Sequence, residues 1–188
     1  MTVKQLSREE LQSLRNKRTA VTVFQFSWIM VFICLIVVNL QLRSAQPVWP
    51  PVGTVPLDRV LPTIATVGLL ASAWLAHGGL KAIGRDNRES FFRQWGAAIA
   101  LGAAFVLVVA YEWLAVQFSG QYSTVFRLMT AYHAIHALVI GGLMVRAYAH
   151  ARAGAYSGVD HWDVEAAAKL WYFVVVAWIM FYLVLYVI

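Results

Sequence analysis

Residues 95–118 read WGAAIALGAAFVLVVAYEWLAVQF, and this stretch decides the fold class. It contains one charged residue, Glu112. As a helix it would be about 36 Å long at 1.5 Å per residue, enough to cross a hydrocarbon core roughly 30 Å thick. Peptide groups in lipid find no water, so they must be satisfied within the segment, and a helix does that. Its hydrophobicity is continuous, whereas a membrane β-barrel needs alternating segments of about ten residues.

Four further runs of the same kind lie on either side. The expected spans are Ala20–Leu42, Val60–Ile83, Trp95–Phe118, Val125–Ala149 and Ala166–Ile188. The expectation is an all-α integral membrane bundle of five transmembrane helices, filling residues 20–188 behind a polar N-terminal segment, residues 1–19. Composition agrees. The 188 residues are 61% hydrophobic and 13% charged, where soluble domains carry about 25% charged residues and disordered chains are more polar still. The polar start is no signal-peptide core. Cys34 is the one cysteine, so no intrachain disulfide or CxxC site can form.

The net charge of +6 reads as topology. Lys4, Arg8, Arg15, Lys17 and Arg18 precede the first span. Lys81, Arg85, Arg88 and Arg93 surround the second-to-third connection, and Arg146, Arg152 and Lys169 flank the fourth-to-fifth. Only Arg43, Arg59 and Arg127 fall on the opposite side. The positive-inside rule then places the N-terminus in the cytoplasm and the C-terminus outside the cell's inner (plasma) membrane. No nucleic-acid role is needed to explain the charge.

All five prolines, Pro47, Pro50, Pro51, Pro56 and Pro62, fall around the first-to-second connection. Pro62 is tolerable in the first turn of the second helix. Small residues crowd the third and fourth spans, among them Gly96, Gly102, Gly141 and Gly142, as close helix packing in membranes requires. The fifth span is bulky all round, with Trp171, Phe173, Trp178, Phe181 and Tyr186. Such a helix either faces lipid or fills a partner's grooves.

Ionisable groups inside the bilayer each need a reason. Glu112 lies near the outer end of the third span. His133 and His136 lie at similar depth in the fourth, and their i, i+3 spacing puts both on one face. A buried polar cluster of Glu112, His133 and His136 follows, with Tyr111 and Tyr132 in reach. It could clamp two helices, relay protons or, with three ligand atoms, hold a metal; no HExxH or second acidic helix supports the metal. A haem bound between His77 and His133 or His136, as in a membrane b-type cytochrome, is opposed by their unequal depths. Arg146, His150 and Arg152 make a basic end that suits snorkelling or an anionic lipid headgroup. Asp160, Asp163 and Glu165 precede the fifth helix, where negative charge is favoured. Signatures of hydrolase, phosphate-loop or dinucleotide chemistry are absent.

In order along the chain, these motifs resemble subunit III of the haem-copper oxidases. Trp49-Pro50-Pro51-Val52-Gly53 is similar to that family's Trp-Pro-Pro-x-Gly loop. Leu69-Leu70-Ala71-Ser72 with Trp74 to His77 resembles its next helix, and Tyr111-Glu112-Trp113 its Glu-aromatic pair. Thr130-Ala131-Tyr132-His133-Ala134-Ile135-His136 resembles Thr-Gly-Phe-His-Gly-Leu-His, and Glu165-Ala166-Ala167 with Trp178 fits the last helix. The resemblance implies the short, five-helix form. It implies a subunit without redox centres that packs against catalytic subunit I, with subunit II nearby, and binds phospholipid. Haem and copper would belong to the partner, for oxidation of cytochrome c or quinol. A related system, nitric oxide reductase, is the alternative. Two departures stand out. Ser27-Trp28 replaces the family's Ser-Glu, and Trp171-Tyr172-Phe173-Val174-Val175 replaces Trp-His-Phe-Val-Asp. Both imply a divergent, mainly structural member.

Overall fold

The computed structural model describes residues 7–51, 57–115 and 120–188. Five helices follow one another: α1 Arg8–Ser44, α2 Val60–Ile83, α3 Arg88–Ala115, α4 Gln121–Arg152 and α5 Trp162–Tyr182, the last running on into a π-helical turn, Leu183–Val187. All five are long and apolar enough to cross a membrane, and no strand occurs among the described residues.

Helix ends extend beyond the apolar runs because capping chemistry sets them. α1 starts twelve residues before its expected span. Ser7 and Glu10 form a reciprocal capping box, with Glu10 N–H donating to Ser7 Oγ (3.2 Å) and Ser7 N–H to Glu10 Oε2 (2.7 Å). The described part of the polar N-terminal segment is therefore one helix with the first span. Between α2 and α3 the chain reverses in four residues. Asp86 takes the left-handed conformation (φ 57°), and Asn87 Oδ1 accepts from Ser90 N–H (3.1 Å) to start α3.

α2, α3, α4 and α5 close a ring in which each helix packs on its sequence neighbour and α5 returns to α2. This is an up-and-down four-helix bundle. α1 lies outside it, against α5 and the middle of α4, and most of its surface is exposed. Lipid tails are as apolar as leucine, so close packing and interhelical hydrogen bonds must hold such a bundle. Three indoles provide both. Trp95 donates from α3 to the Met144 carbonyl of α4 (3.0 Å). Trp171 donates from α5 to Ser72 Oγ of α2 (2.8 Å), and that hydroxyl donates on to the Ala98 carbonyl of α3 (2.9 Å). Trp178 donates from α5 to Thr66 Oγ1 of α2 (2.8 Å). The bulk of α5 thus fills its own bundle: Trp171, Phe173, Trp178 and Phe181 are all buried. α1 is the least buried of the five, with Phe26, Met30 and Val37 among its exposed apolar side chains.

Hydrogen bonds lock one end of the bundle. Arg18 of α1 grips Glu165 of α5 through Nε (2.9 Å) and Nη2 (2.7 Å). Lys169 Nζ adds a contact at 3.0 Å, and Gln25 donates to the Lys169 carbonyl (2.9 Å). The two loops at this end are joined by Gly158 N–H donating to Asp86 Oδ1 (2.6 Å) and Arg88 Nη2 to the Tyr156 carbonyl (3.2 Å).

Candidate functional site: the buried polar groups

Glu112 is buried on the last turns of α3. Its carboxylate accepts a hydrogen bond from Tyr186 Oη, 3.0 Å away on the π-helical turn. The π geometry belongs to the segment that carries this hydroxyl.

His133 and His136 are also buried, but they do not complete a hydrogen-bonded cluster with Glu112. His133 is fully enclosed, and neither ring nitrogen has a partner. Its neighbours are rings: Trp178 at 5.1 Å, Phe105 at 5.7 Å, and Phe32 and Phe181 each at 6.3 Å between centroids. His136 Nδ1 bonds the Tyr132 carbonyl of its own helix. Its ring lies 4.3 Å from Tyr132, 4.4 Å from Trp28 and 5.3 Å from Phe32. The expected acid–imidazole bonds are therefore replaced by Tyr186 on one side and aromatic packing on the other. The shared face of α4 turns toward α5 and α1, whereas Glu112 turns toward the end of α5. Tyr111, expected within reach, is 64% exposed. Sequence reading missed Tyr186 because it counted only as bulk on the fifth helix. Its one available signal was a phenol late in an otherwise apolar helix.

Among the described residues no three His, Cys, Asp or Glu side chains come together as a metal set. The b-type cytochrome reading fails on packing: His133 is walled in by aromatic rings, and His77 lies outside the core with Tyr172 Oη 3.3 Å from its Nδ1.

The basic end divides between two faces. Arg152 stacks over the Tyr148 ring (5.6 Å). Arg146 lines a recess between α4 and α5 with Asp163, and His150 Nδ1 is 3.5 Å from Tyr156 Oη. Tyr156 donates to Asp163 (3.1 Å); burial and that carboxylate push its hydroxyl up to about 12. At the opposite end the Trp49 ring meets Tyr122 edge-on (5.1 Å), and Trp49 and Pro50 line a recess with Arg43, Arg59 and Tyr186. Pro51 is half-buried beside them. Val52 and Gly53 of the loop motif lie outside the described residues.

Trp28, where the resemblance leads one to expect a carboxylate, covers His136 and stacks on Phe173 (5.5 Å, 16° between planes). Val175, the other departure, is buried. Both positions now contribute packing.

Fold and buried groups together define a helical membrane bundle whose buried acid is bonded to Tyr186 and whose buried imidazoles pack among aromatic rings. The pattern of cytochrome c oxidase subunit III matches residues 11–188, and the chain belongs to that family. It is 30% identical over 172 residues to cytochrome c oxidase subunit 3 of Synechocystis sp., covering 88% of this chain and 73% of that one. The Thermostichus vulcanus subunit is 31% identical over 170 residues, covering 88% and 84%. That of Lumbricus terrestris is 32% identical over 146 residues, covering 73% and 55%. Subunit III is a non-catalytic subunit of the haem-copper oxidase. These relatives give no support to the nitric oxide reductase alternative.

Proposed function

We propose that this chain is the structural membrane subunit of a respiratory haem-copper terminal oxidase, packed against catalytic subunit I with subunit II nearby. Residues 20–188 lie in the plasma membrane and residues 1–19 in the cytoplasm, with the C-terminus outside. The distribution of Lys and Arg supports that orientation. Phospholipid fills the contacts with its partners, and haem and copper stay in the catalytic subunit.

One observation carries the structural role. Among the described residues Glu112 accepts from Tyr186, His136 bonds a carbonyl of its own helix, and His133, without a hydrogen-bond partner, is enclosed by aromatic rings. A proton relay needs a chain of donors and acceptors, and among the described residues no side-chain hydrogen bond joins these three groups. Purification through a tag on this chain in mild detergent tests the reading. A larger haem-containing subunit is expected to copurify. Recovery of a stable lone chain with no haem protein would overturn it.

A further inference from the structure

Arg43 stands on the last turn of α1, and Arg59 is the N-cap residue of α2. Both line one recess, together with Trp49, Tyr122 and Tyr186. Arg43 is half-buried there.

A count of acids sets this recess apart. The sequence has nine Asp and Glu, of which Asp58 and Glu112 are the two at this end of the bundle. Asp58 Oδ1 accepts from Val60 N–H (3.0 Å) at the start of α2, and Glu112 accepts from Tyr186 Oη (3.0 Å). The ion pairs among the described residues both belong to Glu165, at the opposite end. Residues 1–6, 52–56 and 116–119, outside the described part, contain no Asp or Glu. Arg127, the third arginine at this end, lies 5.6 Å over the Trp113 ring. Among the described residues the guanidiniums of Arg43 and Arg59 have no ion-pair or ring partner. Two like charges on one recess repel, and this chain has no acid left to offset them.

Size narrows what can offset them. The recess holds about 80 Å³, the room of about two or three waters at roughly 30 Å³ each. That suits one planar carboxylate, which a guanidinium fork binds through two parallel hydrogen bonds. A phosphodiester carries a group on each ester arm and is too large to enter. A free carboxylate would lose its freedom of motion for this single contact. One carried by a neighbouring protein is already positioned by the rest of the interface.

We propose that the Arg43–Arg59 recess receives the side-chain carboxylate of an Asp or Glu on a neighbouring subunit. The orientation given above places this contact outside the membrane. The proposal rests on the reading of this chain as one subunit of a complex and locates one of its contacts.

The test uses the tagged complex in mild detergent. Arg43→Lys and Arg59→Lys each keep the charge and place a primary amine in the recess. A water-soluble carbodiimide joins such an amine to a carboxylate in contact with it: the carboxyl oxygen leaves on the carbodiimide as a urea, and an amide forms. Peptide mass spectrometry is expected to find position 43 or 59 linked to one Asp or Glu of a stoichiometric copurifying subunit. The unaltered protein is expected to show no such link, because a guanidinium does not react. The double variant Arg43→Gln, Arg59→Gln is expected to lose that subunit about tenfold faster on washing. Arg59→Glu combined with the opposite charge change at the linked acid is expected to restore its retention. No link in either lysine variant with subunit content unchanged overturns the proposal. So do links confined to carboxyls of this chain, an unaltered washing rate in the double variant, or loss of an anionic phospholipid from that variant with every subunit retained. The haem spectrum of the linked complex is a separate readout: a link formed in a complex without haem supports the recess contact and sinks the oxidase reading.

Discussion

The indole of Trp28 lies 4.4 Å from the imidazole of His136, centroid to centroid, and joins α1 to α4. Phe173 stacks on its other side and Phe24 flanks it at 4.7 Å. α1 has few buried residues, so this aromatic seam, with Phe32, carries much of its attachment. Resemblance to the family places a carboxylate at position 28, where it would face His136. In this chain, carbodiimide is expected to leave the apolar span of α1, residues 20–42, unlabelled, because no Asp or Glu lies there. Trp28→Glu should create a labelled site beside His136, read as a mass adduct on the α1 peptide. An adduct within residues 20–42 of the unaltered protein would show that the alignment of this helix is wrong.

Tyr186 is the hydrogen-bond partner of Glu112, and Tyr186→Phe leaves a buried carboxyl without it. The expected cost is about 1–3 kcal/mol, read as a lower unfolding temperature in detergent. Glu112→Gln should cost less, since the amide can still accept from the phenol. In the double variant the two effects should fail to add. Turnover per intact complex should change little in either single variant. A large loss of turnover with assembly intact would restore the proton-relay role for Glu112.

How far the sequence reaches is visible in these two residues. Glu112 was legible because a carboxylate inside a 24-residue apolar run contradicts its surroundings. Tyr186 was not, because a phenol is amphipathic and equally suits lipid interface and core. The spans were legible for the same reason as Glu112: the bilayer fixes their length. Their ends were not, since Ser7, Asn87 and Gly120 set them by local backbone chemistry in polar sequence. The direction of α5 was also hidden. A helix bulky on every side has no periodicity, and only the small residues opposite it, such as Gly102 and Ser72, reveal that its rings point inward.

His133 presents the opposite case to Glu112: a buried polar ring with both nitrogens unpartnered. Each unmet polar group costs about 1–3 kcal/mol. His133→Leu, of similar volume, is therefore expected to hold or raise the unfolding temperature, with oxidase turnover preserved. Loss of turnover at unchanged stability and subunit content would mean that the imidazole acts on protons after all.

Tyr156 links the loop after α4 to Asp163 at the start of α5. Its hydroxyl is pushed up to about 12, against an ordinary value of about 10. The folded state thus favours the protonated phenol. That contribution is fully present below about pH 10 and is lost as pH rises through about 12. Ultraviolet titration of Tyr156→Phe should lack the last-ionising tyrosine among those outside the bilayer. Its stability should also fall less steeply at alkaline pH than that of the unaltered chain. Identical alkaline profiles would show that the Asp163 bond does not persist in solution.

The glycines of the α3–α4 face separate packing within the chain from openness toward the membrane. A methyl at Gly102 would meet the Trp171 ring at 2.6 Å, and that ring is tethered to Ser72 and backed by the core. Gly102→Ala is expected to destabilise by about 1–3 kcal/mol through overpacking. Gly141→Ala meets nothing within 4 Å and improves helix propensity by up to about 1 kcal/mol, so the chain alone should gain stability. Thermal unfolding of both variants in one detergent decides the matter by sign. Equal losses would mean that the face around Gly141 is already filled by the protein itself. Opposite signs would mean that only the inner of the two glycines serves the bundle.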